Sequence, residues 1–166
     1  AEIWKDRPSI PQSKAFTQSL EYAGESAASK LARIRQQIGS NAIVLSMLEE
    51  VAWILNLRAN DVENTPFMLG YVVVTPEKAL LYICKEKLTP AIEEYLKGEG
   101  VNIREYEEIA TDLHELNMPV YAQPNKTNYA VYSAIKNPIR KDSPVAKMLI
   151  FKNETEIKCF RSAMEK

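Results

Sequence analysis

Few side chains in this sequence of 166 residues combine a reactive type with the spacing that catalysis or metal binding requires. His114 is the only histidine, so a Ser-His-Asp or Cys-His arrangement would have to use it. It stands in "DLHEL", on a predicted helix with polar neighbouring positions, which indicates an exposed surface residue. Cys84 and Cys159 lie far apart and form no CxxC pair, so they predict two reduced thiols and no zinc site.

Paired carboxylates are the other candidates for acid–base chemistry. Glu49 with Glu50, and Glu93 with Glu94, lie on predicted helices, and charged pairs there are typical of a solvated face. The five glycines form neither GxGxxG nor GxxxxGK[ST], so no phosphate-binding loop is predicted. Residue types and spacing alone therefore predict a domain without a catalytic centre.

The charge balance and the apolar runs exclude two classes of partner. With 21 basic and 22 acidic residues the formal net charge is -1, which gives no electrostatic argument for nucleic acid. "KNPIRKD" accordingly predicts a solvated loop and not a phosphate-binding patch. The longest apolar runs, "NAIVL" and "MLGYVVV", are far shorter than the roughly 20 residues of a membrane span, so no membrane partner is predicted.

Apolar spacing in the first half predicts the elements that would position any site. A helix is predicted from Ser26 to the residue before Gly39, which can adopt the left-handed conformation of a helix end. Its buried face consists of Leu31, Ile34 and Ile38. "NAIVLS" predicts a strand buried on both faces. The next segment mixes helical and strand signals, and we predict a short helix over 47–51 and a strand from Trp53.

The second half continues the alternation of strands and helices. "FMLGYVVVTPEKALLYIC" predicts an antiparallel hairpin. The remaining predicted helices and strands are, in order, "TPAIEEYLKGEG", "VNIREY", "YEEIATDLHEL", "PVYAQ" and "KTNYAVYSAIK". Because strands alternate with helices apart from the hairpin, we predict an α/β fold with a mixed β-sheet flanked by helices.

The two ends of the chain show different patterns. The first sixteen residues hold two prolines and no periodicity, which predicts an extended linker anchored by Trp4. Asn153 and Glu156 predict a capping box at the start of a C-terminal helix. That helix carries an apolar stripe, which must either fold back on the preceding domain or meet a partner outside the chain. The stripe consists of Ile157, Phe160 and Met164.

Four segments carry recognisable motifs: "WKDRPSIP", "EYAGESAASKLARIR", "LEEVAWILNLRANDVENTPFMLGYVVV" and "KNETEIKCFRSAMEK". The first resembles the W-x-DRP linker of the three-domain Xaa-Pro aminopeptidases (aminopeptidase P), which are creatinase/prolidase-like metallopeptidases. The second resembles their Y-x-G-x-S-x-x-x-K-x-x-x-(I/L)-R segment, and the third resembles their L-D-E-I-A-W-L-x-N-L-R-G-x-D stretch. The fourth resembles the K-N-x-x-E-(I/L)-x-x-(F/M)-R segment that opens their catalytic domain.

The chain departs from the family pattern at three positions. Glu49 replaces the usual Asp, Ala59 replaces the Gly of "NLRG", and Met164 stands where many relatives have His. Ala59 bears on the backbone of its loop, because alanine tolerates a positive φ poorly.

The resemblance implies a domain organisation and an activity for a longer parent protein. Residues 1–16 would be an interdomain linker, 17–150 the non-catalytic creatinase N-terminal-like domain, and 151–166 the start of the first catalytic-domain helix. The implied parent is a cytoplasmic enzyme that removes the first residue from peptides with proline at position two. Its two divalent metal ions, manganese or a similar ion, would lie beyond Lys166, where a metal-bound hydroxide attacks the peptide bond.

The resemblance assigns no catalytic or metal-binding residue within this chain. Its implied partners are the catalytic domain of the same protein and proline-containing peptides, and it leaves a homodimeric parent open. Two alternatives share the fold: a peptide- or histone-binding module of a catalytically inactive relative, and a domain of an Xaa-Pro dipeptidase or a creatine-hydrolysing relative. Metal ligands in the parent sequence would separate peptidase from binder.

The polar loop "NLRANDVENTP" is the remaining candidate for a functional contact, because loops on a rigid scaffold often carry function. Relatives use loops of their non-catalytic domains to narrow the active-site mouth, so the resemblance implies that Arg58, Asn60 and Asp61 help to shape that entrance. The alternative is that Arg58 only pairs with Asp61 or Glu63 on the surface.

Overall fold

A six-stranded mixed β-sheet forms the centre of the computed structural model, which describes residues 4–165. The strands are β1 (Phe16–Thr17), β2 (Ala42–Leu45), β3 (Leu57–Arg58), β4 (Tyr71–Val74), β5 (Ala79–Ile83), β6 (Val101–Glu105), β7 (Val120–Ala122) and β8 (Pro138–Arg140). The sheet order is β6-β5-β4-β2-β7-β8, with β1 and β3 paired separately. Strand β4 is antiparallel to both neighbours, and the other adjacent pairs are parallel. The predicted α/β fold with a mixed sheet is confirmed.

Helices cover both faces of this sheet. They are α1 (Leu20–Ala23), α2 (Ala27–Ile38), α3 (Leu48–Leu55), α4 (Pro90–Gly98), α5 (Ile109–Glu115), α6 (Tyr129–Ala134), α7 (Pro144–Ile150) and α8 (Glu154–Met164). Helices α2, α3, α4 and α7 share one hydrophobic core, and α5 and α6 share the other. Ile43 and Leu45 of β2 belong to the first core, and Ala42 and Val44 belong to the second, because side chains alternate along a strand. The prediction that this strand is buried on both faces is confirmed.

Local sequence signals place several elements where the sequence predicts them. Helix α2 begins after Ser26, whose hydroxyl accepts a hydrogen bond from the Ser29 N–H at 3.1 Å. Gly39 follows the helix with a φ of 59°. The predicted hairpin is the antiparallel pair β4–β5, and Pro90 occupies the first turn of α4.

The prediction of a short helix over 47–51 and a strand from Trp53 is wrong. One helix, α3, covers Leu48–Leu55, and the strand that follows it has only two residues. Five of the eight residues of α3 are buried, and its apolar run "VAWIL" is short enough to fit a buried strand as well as a helix. Asn56 ends the helix in the left-handed conformation, with a φ of 50°.

The predicted solvated carboxylates divide into exposed and buried groups. Glu49, Glu93 and Glu94 are exposed, as is His114, and these predictions are confirmed. For Glu50 the prediction is wrong, because only 3% of the residue is exposed. Burial raises the pKa of Glu50 to about 7, although a hydrogen bond to Ser143 opposes that rise.

The segment "KNPIRKD" also differs from its prediction. Residues Pro138–Arg140 form the edge strand β8, which pairs with β7 in parallel. Proline at the first position and charged neighbours are features of an edge strand, and they resemble those of a loop in sequence. The predicted solvated loop is therefore wrong for these three residues.

Residues 13–17 lie against the domain as a strap. The backbone N–H of Ala15 donates to the carbonyl of Lys87 at 2.9 Å, and β1 pairs with β3. Trp4 does not anchor this strap as predicted, because 55% of it is exposed. Cys84 and Cys159 are free thiols. Between residues 4 and 165, every helix is too short or too polar to cross a bilayer.

Candidate functional site at the base of the C-terminal helix

Residues from three of the quoted motifs meet where α8 begins. We call Gly24, Lys30, Trp53, Asn153 and Glu156 the junction cluster. These residues come from the end of α1, from α2, from α3 and from the first turn of α8. They are distant in sequence, so only the folded domain brings them together.

The cap of α8 is bonded directly to the end of α1. The Asn153 side chain accepts a hydrogen bond from the Glu156 N–H, and the Glu156 carboxylate accepts one from the Asn153 N–H, each at 2.9 Å. This is the predicted capping box, and it is confirmed. The Asn153 amide also donates to the carbonyl of Ala23 at 2.8 Å, which attaches the helix start to α1.

Gly24 makes this close approach possible. It ends α1 in the left-handed conformation, with a φ of 69°. A Cβ atom at this position would lie 2.6 Å from Asn153 Oδ1 and 2.8 Å from Thr155 Cβ. Glycine is therefore required both by the backbone conformation and by the packing of α8.

Lys30 and Trp53 form the floor of the junction cluster. The fully buried Lys30 ammonium lies 4.3 Å from the centroid of the Trp53 ring. It donates to the Trp53 carbonyl at 2.8 Å and to Asn56 Oδ1 at 2.6 Å. Burial lowers the pKa of Lys30 to about 8, while the nearby Glu156 and Glu25 carboxylates act to raise it.

One side-chain hydrogen bond joins this floor to α8. Trp53 Nε1 donates to Glu156 Oε1 at 3.1 Å. Because the other Glu156 oxygen completes the capping box, this carboxylate fixes both the start of α8 and its position over the domain. The arrangement can hold a helix in one orientation relative to the sheet.

A cleft of about 330 Å³ opens beside the junction cluster. Tyr22, Arg58 and Phe160 line it together with Lys30 and Trp53. Within the part of the chain that the structure describes, no three His, Cys, Asp or Glu side chains are grouped to hold a metal ion.

The structure separates the three residues of the predicted entrance loop. Arg58 lines the cleft, where its Nη1 donates to the carbonyls of Ala52 and Leu57 at 2.6 and 2.9 Å. Burial lowers the pKa of Arg58. Asn60 is exposed. The Asp61 carboxylate is fully enclosed, so it does not share a surface with Asn60.

Asp61 ties three segments together. It forms an ion pair with Lys87 in which both side chains are 0% exposed, and it accepts hydrogen bonds from Ser13 Oγ and the Leu69 N–H at 2.6 and 2.7 Å. Burial alone would raise the pKa of Asp61, but the bonds from Lys87, Ser13 and Leu69 bring it below its usual value. The alternative that Arg58 pairs with Asp61 or Glu63 is not what residues 4–165 show.

Ala59 has an ordinary backbone conformation. Among the described residues other than glycine, positive φ angles occur only at Asn56 and Asn64. The replacement of the family's Gly by Ala59 therefore strains no backbone here. Ala59 is fully buried, so its loop is partly an interior segment.

Comparisons with known proteins agree with this fold. A family model described as the creatinase/prolidase N-terminal domain matches residues 6–156. Aminopeptidase P2 of Arabidopsis thaliana is 38% identical over 143 residues, which cover 82% of this chain and 20% of that protein. A probable Xaa-Pro aminopeptidase P of Sordaria macrospora is 33% identical over 177 residues, which cover 96% of this chain and 29% of that protein.

Solved structures show the same similarity. The X-prolyl aminopeptidase of Caenorhabditis elegans, described as a cytosolic enzyme with a di-nuclear active site, matches with a TM-score of 0.89 and 26% identity. The match covers 97% of this chain and 28% of that one. An Xaa-Pro dipeptidase of Bacillus anthracis, with a TM-score of 0.55 and 21% identity over 80% of this chain and 38% of that one, shares the fold. The chain spans less than a third of the length of the two sequence relatives.

Proposed function

This chain belongs to the creatinase/prolidase N-terminal domain family, and we propose that it is the non-catalytic domain of a longer Xaa-Pro aminopeptidase. In this proposal the domain orients the catalytic domain and restricts which peptides reach the active site. The observation that carries it is the junction cluster, in which Glu156 of α8 is bonded to Trp53 of the domain. A helix fixed in this way can set the position of whatever follows it.

The exposed side of α8 supports the same proposal. Ile157, Phe160 and Met164 are 39%, 69% and 74% exposed, so the predicted apolar stripe is not buried within the described residues. Ile150 and Phe151, just before the helix, are 71% and 80% exposed. Exposed apolar clusters mark interfaces, and we propose that the catalytic domain covers this one. On this proposal the interdomain linker is residues 1–16 and the non-catalytic domain is residues 17–150. The catalytic domain starts with residues 151–166.

The proposal extends to the parent protein. The di-nuclear site described for the Caenorhabditis elegans enzyme supports two divalent metal ions in the part outside this chain, and we propose manganese. They would supply a metal-bound hydroxide for hydrolysis of the bond before proline. The description of that enzyme as cytosolic supports a cytoplasmic location. A homodimeric parent stays a prediction.

Activity measurements test this proposal. The 166-residue chain is expected not to release the first residue of Xaa-Pro peptides with manganese, cobalt or zinc. A protein that continues past Lys166 is expected to do so, because it would add the metal ligands. Turnover by the shorter chain would overturn the proposal. A longer protein that binds proline peptides without cleaving them would be a binding module, and one that cleaves only dipeptides would be a dipeptidase.

The entrance loop gives a second test, in the longer protein. We propose that Arg58, Asn60 and Asp61 form a loop that faces the catalytic domain, with Asp61 holding the loop from inside. Arg58→Ala is expected to lower kcat/KM for long peptides by about fivefold relative to short ones, the equivalent of about 1 kcal/mol. The variant also loses two hydrogen bonds from Arg58 to backbone carbonyls, which lowers the amount of folded protein. The ratio of kcat/KM for long and short peptides is therefore the readout, because it does not depend on that amount.

Arg33→Ala is the matched control for that measurement. Arg33 pairs with Glu25 at 2.7 Å, and its side chain is 47% exposed, so the variant removes the same charge away from the loop. Arg33→Ala should leave the ratio of kcat/KM for long peptides to that for short peptides unchanged. If Arg58→Ala lowered kcat/KM equally for both lengths, the loop would have no role in selecting substrates.

A further inference from the structure

We propose that a small pocket at one end of the sheet binds a monovalent cation of about the size of sodium, through the Glu50 carboxylate and the Gln123 side-chain oxygen. Hydroxyl groups of neighbouring residues supply further oxygen ligands. They are Ser46, Thr127 and Ser143, which line the same pocket.

The pocket lies where an open α/β sheet characteristically binds ligands. Strands β2, β7 and β8 are adjacent and parallel, so their carboxyl ends meet at one edge. Ser46, Gln123 and Lys141 are the first residues after these three strands, and all three line the pocket. Glu50 reaches it from the first turn of α3, which follows β2.

The pocket contains one oxygen atom that the described residues leave without a hydrogen bond. Gln123 is only 9% exposed, and within residues 4–165 its Oε1 atom is buried without a hydrogen-bond partner. Glu50 is 3% exposed. Ser46 Oγ lies 3.2 Å from Thr127 Oγ1. A buried acceptor beside a buried carboxylate calls for a cation, because hard cations take oxygen ligands.

The size and the charge of the pocket select the kind of cation. Its volume of about 10 Å³ is enough for one water-sized occupant. The ionised Glu50 carboxylate, among neutral oxygens, balances a single positive charge. A divalent ion would leave an excess of positive charge near Lys126. A water molecule would also fill this volume and would suffice while Glu50 is protonated; because the pKa of Glu50 is about 7, sodium should bind above that pH. The ammonium of Lys141 lies over the Tyr121 ring, 6.0 Å from its centroid.

A bound cation would fasten α7 to the sheet. Ser143 caps α7 by accepting a hydrogen bond from the Val145 N–H at 3.2 Å, and the same side chain lines the pocket and is hydrogen-bonded to Glu50. Because α7 leads into α8, a cation bound here would also restrict the motion of the segment before α8. The inference does not depend on the proposed aminopeptidase activity.

Thermal unfolding of the 166-residue chain in sodium, potassium and choline chloride at equal ionic strength tests this inference. Sodium at ten times its dissociation constant is expected to raise the unfolding midpoint by about 3–6 °C over choline. Potassium should have a smaller effect because it is larger. Sodium-23 line broadening measures binding directly and should saturate at one ion per chain.

Three variants separate the site from a general salt effect. Glu50→Gln and Gln123→Leu are each expected to abolish both the sodium-specific shift and the line broadening. Glu49→Gln changes the same charge on the exposed neighbour and should retain both. Equal midpoints in sodium and choline, a shift that survives Glu50→Gln, or line broadening that survives both pocket variants would overturn the inference and leave water as the occupant.

Discussion

Replacing Lys87 with methionine is expected to lower the free energy of unfolding by about 3–5 kcal/mol, because it leaves the Asp61 carboxylate buried without its cation. The loss should also loosen the three segments that Asp61 holds, which are the strap at Ser13, the loop at Leu69 and the turn at Lys87. Equilibrium unfolding in urea measures the change.

Lys85→Met is the matched control in the same turn. Lys85 pairs with Glu105, but the two side chains are 59% and 42% exposed, so its removal should change stability little. The double variant Lys87→Met with Asp61→Leu should be more stable than Lys87→Met, because no unpaired charge is left. A Lys87→Met loss no larger than that of Lys85→Met would contradict the prediction.

The stability of the Lys87→Met variant should depend on pH in a definite direction. In the wild type the pKa of Asp61 is lowered, so this carboxylate stabilises the folded state above its unfolded pKa and ceases to do so as the pH falls. Without Lys87 the largest of the lowering hydrogen bonds is lost, so the pKa of Asp61 in the variant lies above that in the wild type. The stability difference between Lys87→Met and the wild type should therefore be largest at neutral pH and narrow on acidification.

Elements with local signals were predictable from the sequence. Helix α2 has a cap at Ser26, an apolar face and a glycine at its end, all within fifteen residues, and the α8 capping box spans only four. Helix α3 and strand β8 were not predictable, because the short apolar run of α3 also fits a strand and β8 is a short edge strand with loop-like residues.

Buried charges and contacts between residues far apart in sequence were the least predictable features. Asp61 and Lys87 are 26 residues apart, and Trp53 and Glu156 are 103 apart, so their contacts exist only in the folded chain. Glu50 differs from the exposed Glu49 only by one step along a helix, and that step is enough to turn it into the core. The resemblance identified Lys30 and Trp53 as motif residues, but not that they meet α8.

The junction cluster makes a prediction that centres on Gly24. Gly24→Ala is expected to lower the free energy of unfolding by about 2–3 kcal/mol, combining left-handed strain with the loss of a helix cap. The new methyl group would lie 2.6 Å from Asn153 Oδ1, the atom that accepts the Glu156 N–H. Asn153 would have to move, and the capping box would break.

Gly100→Ala isolates the packing contribution from the backbone strain. Gly100 has a φ of 73°, close to the 69° of Gly24, but a Cβ atom there would meet nothing within 4 Å. Both variants therefore carry similar left-handed strain. Only Gly24→Ala should disturb the contact between α1 and α8.

Hydrogen exchange in α8 measures that disturbance where it is expected. In Gly24→Ala the first-turn amides, including that of Glu156, should exchange about fivefold faster or more, the equivalent of about 1 kcal/mol for a lost cap. The fluorescence of Trp53 should change as well, because its Nε1 donates to the Glu156 carboxylate that would move. In the longer protein kcat should fall further than in Gly100→Ala, since a displaced α8 would misplace the catalytic domain. Identical exchange in the two variants would show that the junction cluster does not hold α8, and the proposed orienting role of this domain would lose its basis.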